Sequence, residues 1–178
     1  MPKLTRKQNI LLKELGALAE LFDIDYANIA NYEPAARTAK LESMKRHLVI
    51  GEVVRSYTVA DEFLNMEICR YYFRRNRTFI KLWKSKRFRY FNYFILEELY
   101  PLQKLRLVKA FKHVPKDISR TIESLNVLRN GLAHAFFPEN LRKSKPTWKG
   151  KNIFSLEGAT LYVADIHALW EFFMGMSI

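Results

Sequence analysis

Residues 35–73 read AARTAKLESMKRHLVIGEVVRSYTVADEFLNMEICRYYF, and their apolar spacing decides the fold class. Leu41, Met44, Leu48, Val53, Tyr57, Ala60, Leu64, Ile68 and Tyr72 recur every three or four residues. That period brings side chains to one stripe of an α-helix and to no single face of a strand. Gly51 and Thr58 are weak helix formers, so the pattern predicts one helix near 35–50 and a second near 52–73. Pro34 suits a first helical turn, because its missing N–H has no partner there in any case.

The same period extends in both directions. Leu4, Ile10, Leu11, Leu15, Leu18, Leu21 and Phe22 predict an amphipathic helix over 4–22. Downstream, 92–108 is helical in pattern, with Pro101 opening a new segment, Leu102–Phe111. Pro115 opens another helix, with Asp117 or Ser119 available near its start. It runs through Ile122, Leu125 and Leu128 to about Ala135, where Pro138 ends it. The polar stretch 139–151 reads as a loop, and 148–154 as a short strand or hairpin. Ser155 then caps a last helix whose apolar face is Leu161, Ile166, Leu169, Phe172 and Phe173. The expectation is an all-α fold: a helical bundle over 35–178, preceded by a helical extension over 1–34. Six Gly and six Pro in 178 residues agree with helices better than with a turn-rich sandwich.

Charge is distributed unevenly. Residues 1–67 carry nine Lys/Arg and ten Asp/Glu, a net −1, whereas 68–178 carry 21 Lys/Arg and eight Asp/Glu, a net +13. Such asymmetry points to a polyanionic partner, with nucleic acid first and an anionic membrane second; charge that serves solubility alone is the plain alternative. No stretch approaches the roughly 20 apolar residues of a membrane span, and the polar start carries no signal-peptide pattern. A cytoplasmic, reducing home is the default expectation. The lone Cys69 forms no intrachain disulfide and reads as a buried structural thiol rather than a reactive one.

Residues 70–90, RYYFRRNRTFIKLWKSKRFRY, hold nine basic and seven aromatic residues and no acid. Arg74, Arg75, Arg77, Lys81, Lys84, Lys86, Arg87 and Arg89 find no carboxylates nearby in sequence, and phosphate would pair them. The aromatics offer stacking surfaces for unpaired bases, yet most of them, Tyr72 and Phe79 included, read as core. Trp83, between two lysines, is the one expected at the surface. A second basic group, Arg142, Lys143, Lys145, Lys149 and Lys151, follows on the expected loop. His47, His113 and His167 have no partner at metal-ligand spacing, so neither a metal nor another cofactor is called for.

The stretch Leu125-Asn-Val-Leu-Arg-Asn-Gly-Leu-Ala-His-Ala-Phe-Phe-Pro138 sets four residues between Arg129 and His134, with Asn130 directly after the arginine. It resembles the Arg-x(4–6)-His motif of the HEPN superfamily. The resemblance takes in the pattern Tyr57-Thr-Val-Ala-Asp61-Glu62-Phe-Leu-Asn-Met-Glu67-Ile upstream and a closing helix, roughly 45–175. It implies an all-α bundle that dimerises with its two motifs facing across a cleft. Many members are metal-independent endoribonucleases of toxin, phage-defence or RNA-processing systems; others keep the fold and bind RNA or nucleotides without turnover. In one toxin subgroup the motif continues as His-x-Tyr. Phe136 stands there in this chain, so regulation through that tyrosine does not carry over.

The residue types suit the chemistry. RNA brings its own nucleophile, the 2′-OH, and its cleavage needs a base, a donor for the leaving 5′-oxygen and a cation on the phosphorane. Imidazole can give or take a proton near neutrality, and guanidinium presents a fork that matches phosphate oxygens. On a regular helix Asn130 and His134 share a face, but Arg129 and His134 lie about 140° apart. Either Gly131 loosens the turn, or two chains share the site. The plain alternatives are a core histidine near a helix end and an Arg129 ion-paired with Glu62 or Glu67. Three function classes stay open: a dimeric ribonuclease, a non-catalytic RNA- or nucleotide-binding regulator, and an interaction component whose residues 1–34 dock a partner such as an antitoxin.

Overall fold

The computed structural model describes residues 6, 9, 10, 13, 16, 18, 33–73, 84–134 and 146–175. The chain divides into two compact units, Met1–Gly51 and Glu52–Ile178. The boundary expected at 34/35 coincides with the start of a helix, α1 (Pro34–Phe73), and the units part later, within that helix. The described residues form an all-α fold with one small hairpin.

The break expected near Gly51 does not occur. Helix α1 runs unbroken for 40 residues. A helical glycine costs only about 1 kcal/mol relative to alanine, and Thr58 is accommodated by donating its hydroxyl to the Val54 carbonyl at 3.1 Å. Burial on either side outweighs both: Met44, Val53, Ala60, Leu64 and Ile68 are all buried. In the first unit, the described positions of the expected 4–22 helix are helical, and Ile10 and Leu18 on its apolar stripe are exposed. The rest of that stripe lies outside the described residues.

The second unit continues through α2 (Lys86–Phe91), a single π-helical turn (Asn92–Leu96), α3 (Pro101–Phe111), α4 (Lys116–His134), a hairpin of β1 (Thr147–Trp148) and β2 (Lys151–Asn152), and α5 (Leu156–Gly175). Ser85 caps α2 by accepting the Phe88 N–H. Pro101 opens α3 as its spacing predicts, and the Tyr100 N–H ahead of it donates to Gln103 Oε1 at 2.8 Å. Ser119 does not cap α4: its side chain is buried and its hydroxyl has no hydrogen-bond partner among the described residues, and Asp117 is the acidic group in that first turn. Ser155 does cap α5, accepting the Gly158 N–H at 3.1 Å.

Helix α4 is the centre of the unit. Its buried residues Ile118, Ile122, Leu125, Leu128 and Leu132 follow a 3.6-residue period, and it packs against α3, α5 and β1. The short connection 112–115 returns the chain antiparallel beside α3. Helix α1 contributes Asp61 and Glu67, which pair with Lys104 of α3 and with Lys112 directly after it. It also contributes Phe63, whose ring stacks on Phe173 of α5 at 5.3 Å. The ladder 61 to 104, 67 to 112 and Tyr71 stacked on Phe111 makes α1 and α3 run in the same sense.

The hairpin expected over 148–154 is found at Thr147–Asn152, pairing Thr147 with Asn152 and Trp148 with Lys151. Lys149 and Gly150 both take positive φ, 47° and 78°, as a two-residue type I′ turn requires. The strained lysine is held by an ion pair to Asp165 at 2.7 Å, and the Trp148 indole donates to the same carboxylate at 2.8 Å.

Two glycines of opposite kind test this packing. Gly158 brings α5 so close to the hairpin that a Cβ would collide with the Asn152 carbonyl, whereas a Cβ at Gly51 meets nothing. Gly158→Ala should destabilise by about 1–3 kcal/mol. Gly51→Ala should stabilise by about 0.5–1 kcal/mol, since the helix is already formed there. Thermal melts followed by circular dichroism check both signs; a Gly51→Ala variant that melts lower would contradict the unbroken α1.

Candidate functional site

Arg129 and Asn130 sit in the last turns of α4 on its exposed face, and both side chains are exposed. Helix α4 stays regular through Gly131 to His134, so a loosened turn at Gly131 is ruled out. The Arg129 guanidinium lies over the Tyr57 ring of α1 at 5.3 Å, and its Nη1 donates to Asn130 Oδ1 at 3.1 Å. It forms no ion pair with a carboxylate among the described residues. The carboxylate partners that sequence suggested are placed otherwise: Glu67 is buried between Arg70, at 2.5 Å, and Lys112, while Glu62 is exposed. The backbone of His134 ends the helix, on the stripe of Asn126 and Asn130.

Tyr57 is the supporting residue whose role sequence reasoning did not isolate. Its hydroxyl donates to Asn126 Oδ1 at 3.3 Å, one turn before Arg129. Burial pushes its phenol pKa up, and the Arg129 cation pulls it partly back. Only the i, i+3 spacing of Asn126 and Arg129 hinted that one partner from another helix could touch both.

Of the expected RNA-binding residues, Lys84 is exposed just ahead of α2. Arg74, Arg75, Arg77, Lys81, Trp83, Arg142, Lys143 and Lys145 lie outside the described residues, as does Phe79. The expectation that Tyr72 is core is wrong: it is 48% exposed, and Tyr71 and Tyr90 are exposed too, while Phe88 is buried. These rings pack edge-on or stacked against one another near the surface, as Tyr71 does on Phe111 at 4.1 Å, so contact did not require burial. Two further exposed rings, Tyr93 and Phe94, extend the aromatic surface beyond the basic stretch and into the π turn. Lys86 and Arg89 border them in an open concavity with Tyr90.

The remaining candidates are quieter. His47, His113 and His167 are exposed, and His167 tilts against Trp170 at 5.8 Å. No three His, Cys, Asp or Glu side chains among the described residues gather as a metal site would need. Cys69 is buried as expected, and burial, with a smaller contribution from Glu62, pushes its thiol up to about 11. Among the described residues no helix is long and apolar enough to cross a membrane. No family model, no curated protein and no solved structure matches the chain.

Two titrations check this geometry. A cation favours the tyrosinate, so Arg129→Ala should raise the Tyr57 pKa further, read as an upward shift of that phenol in an ultraviolet pH titration; an unmoved curve would place Arg129 elsewhere. A thiol titrating near 11 is almost wholly protonated at neutral pH, and the thiolate is the reactive form. Iodoacetamide should therefore label Cys69 far more slowly in the native protein than in urea, and equal rates would contradict its burial.

Proposed function

We propose that this protein is a metal-independent endoribonuclease of HEPN-like design, with Arg129, Asn130 and His134 as its working residues. The observation that carries the proposal is the state of Arg129: an exposed guanidinium with no carboxylate partner among the described residues, held in place by the Tyr57 ring and Asn130. A structural arginine of a helical bundle ordinarily ends on a carboxylate. This one is oriented and left able to receive an anion, and a phosphodiester fits its planar fork.

In this scheme Arg129 binds a non-bridging phosphate oxygen and offsets the charge that builds in the phosphorane. Asn130 fixes the guanidinium plane and adds an amide donor. His134 takes the 2′-OH proton or delivers one to the leaving 5′-oxygen. Because α4 is regular to His134, the two residues diverge by about 140°, and one chain does not bring both to one phosphate. A symmetric homodimer with its two α4 ends facing supplies an Arg129 and a His134 from each side of the cleft. The net charge of +12 and the basic segments on both flanks of the motif draw RNA to it. A toxin, defence or RNA-processing role would employ this chemistry, and residues 1–34 would be available to a partner such as an antitoxin.

Purified protein incubated with end-labelled RNA in EDTA tests the proposal. Cleavage should persist, with products ending in 2′,3′-cyclic phosphate or 3′-phosphate, and His134→Ala should slow it by about 10²–10⁴-fold. Sedimentation should show a dimer at low micromolar concentration. Activity that vanishes in EDTA and returns with magnesium, or full activity from a monomer, would overturn it.

A further inference from the structure

Between the C-terminal half of α1 and the α2–π-turn segment lies a cavity of about 540 Å³, away from the Arg129 site. Its volume falls within the usual range for small-molecule pockets. Its apolar floor is made by Met66, Cys69, Phe88 and Leu96. The polar groups around that floor include two acceptor-only carboxylates, the amides of Asn65 and Asn92 and the Tyr93 hydroxyl. Asn65 Oδ1 is buried and has no donor among the described residues. Two carboxylates, Glu62 and Glu97, join it, the second already accepting the Asn92 amide at 2.6 Å. Arg89 is the one cation of the lining among the described residues.

The surface beside the cavity has the opposite character. Arg89 and Tyr93 belong both to the cavity and to the adjoining concavity, where they are joined by Lys86, Tyr90 and Phe94 and, among the described residues, by no acid. The rings are open to solvent, Tyr93 at 64% and Phe94 at 62% exposed. Tyr90 stacks on Phe94 at 5.8 Å, and the Lys86 ammonium lies over Tyr90 at 5.7 Å. The π turn creates this arrangement, because its extra residue per turn swings Tyr93 and Phe94 outward while Leu96 stays buried.

The contrast selects a ligand. Two carboxylates against one guanidinium disfavour a phosphate inside the cavity. A plain hydrocarbon would leave the buried Asn65 acceptor unpaired, at a cost comparable to a lost hydrogen bond. A flat heterocycle with N–H donors on its edge meets both demands: its faces rest on the apolar floor and its edge donates to Asn65 Oδ1 and a carboxylate. A nucleotide carries such a ring and a phosphate that stays outside, at Lys86 and Arg89. The next base then has Tyr93 and Phe94 to stack on. We infer that the cavity is a recognition pocket for one unpaired RNA base bearing an exocyclic amino group, namely guanine, adenine or cytosine. Uracil is disfavoured, since its single N–H is flanked by two carbonyl oxygens that would face the carboxylates. The inference takes its partner from the proposed action on RNA and is independent of catalysis.

Fluorescence anisotropy with full-length His134→Ala protein and labelled single-stranded oligonucleotides tests it. Oligo(U) carrying one central guanine, adenine or cytosine should bind about tenfold more tightly than oligo(U) alone, the order expected of one well-paired donor. Asn65→Leu keeps the side-chain size and removes the acceptor, so it should fold and abolish that preference. The double variant Tyr93→Ala/Phe94→Ala should weaken every oligonucleotide by about tenfold. Free nucleosides form a second probe: guanosine, adenosine or cytidine should perturb the methyl resonances of Met66 and Leu96, and uridine should not. Equal binding of all oligonucleotides, or a preference that survives Asn65→Leu, overturns the pocket while the ribonuclease proposal stands. Failure to bind any RNA overturns the RNA reading, and the pocket with it unless the nucleosides still discriminate through Asn65.

Discussion

A buried ammonium fixes the arrangement of the larger unit. Lys104 is only 4% exposed, and its Nζ bonds both oxygens of Asp61 at 2.8 Å. A charge taken out of water without a partner costs several kcal/mol, so α3 can dock on α1 only where Lys104 meets Asp61. Directly after α3, Lys112 meets Glu67, which Arg70 also engages. Apolar surfaces slide past one another at little cost, but two buried ion pairs spaced along a helix pair do not. Once α3 is fixed, the short link at 112–115 leaves α4 one place to lie, and α5 with its hairpin closes over it.

This registration reaches the candidate site through Tyr57. The same segment of α1 that supplies Asp61 carries Tyr57 one turn earlier, against Asn126 and beneath Arg129. A long, exposed arginine loses considerable rotamer freedom when it is held in one geometry. Here a half-buried ring tied to Asn126 and a neighbouring amide do the holding, so that loss is met during folding and not during encounter with a ligand. The pose of Arg129 thus depends on the same helix contact that the buried ion pairs define.

The helices were legible because their apolar period is strong and their proline and serine boundaries are local signals: Pro101 opens α3 and Ser155 caps α5 through contacts within four residues. The hairpin was legible only approximately, expected over 148–154 and found at Thr147–Asn152. Gly51 misled because propensity is a small local cost and the burial that overrides it comes from residues distant in sequence. Ser119 misled for a related reason, since a side chain suited to capping was instead turned into the core. Tyr72 looked like core because its spacing fits the stripe, yet its ring contacts Tyr71 and Phe91 at the rim and stays 48% exposed. At the site, the motif residues could be read directly, but Tyr57 could not, because its role exists only across two helices. The π turn carries no composition signal at all.

That turn makes chain length a determinant of surface chemistry. A π turn is an α-helix with one residue added, and in Asn92–Leu96 the addition sits between the buried anchors Phe88 and Leu96. Removing one residue there would let the helix close in ordinary geometry and rotate the residues before it by about 100° relative to those after it. The core helices downstream are held by their own ion pairs, so the rotation would fall on α2 and its rings. A homologue one residue shorter at this point would keep the bundle and lose the platform. Among diverged relatives, the length of the 88–96 segment would therefore sort chains that carry this aromatic surface from chains that do not.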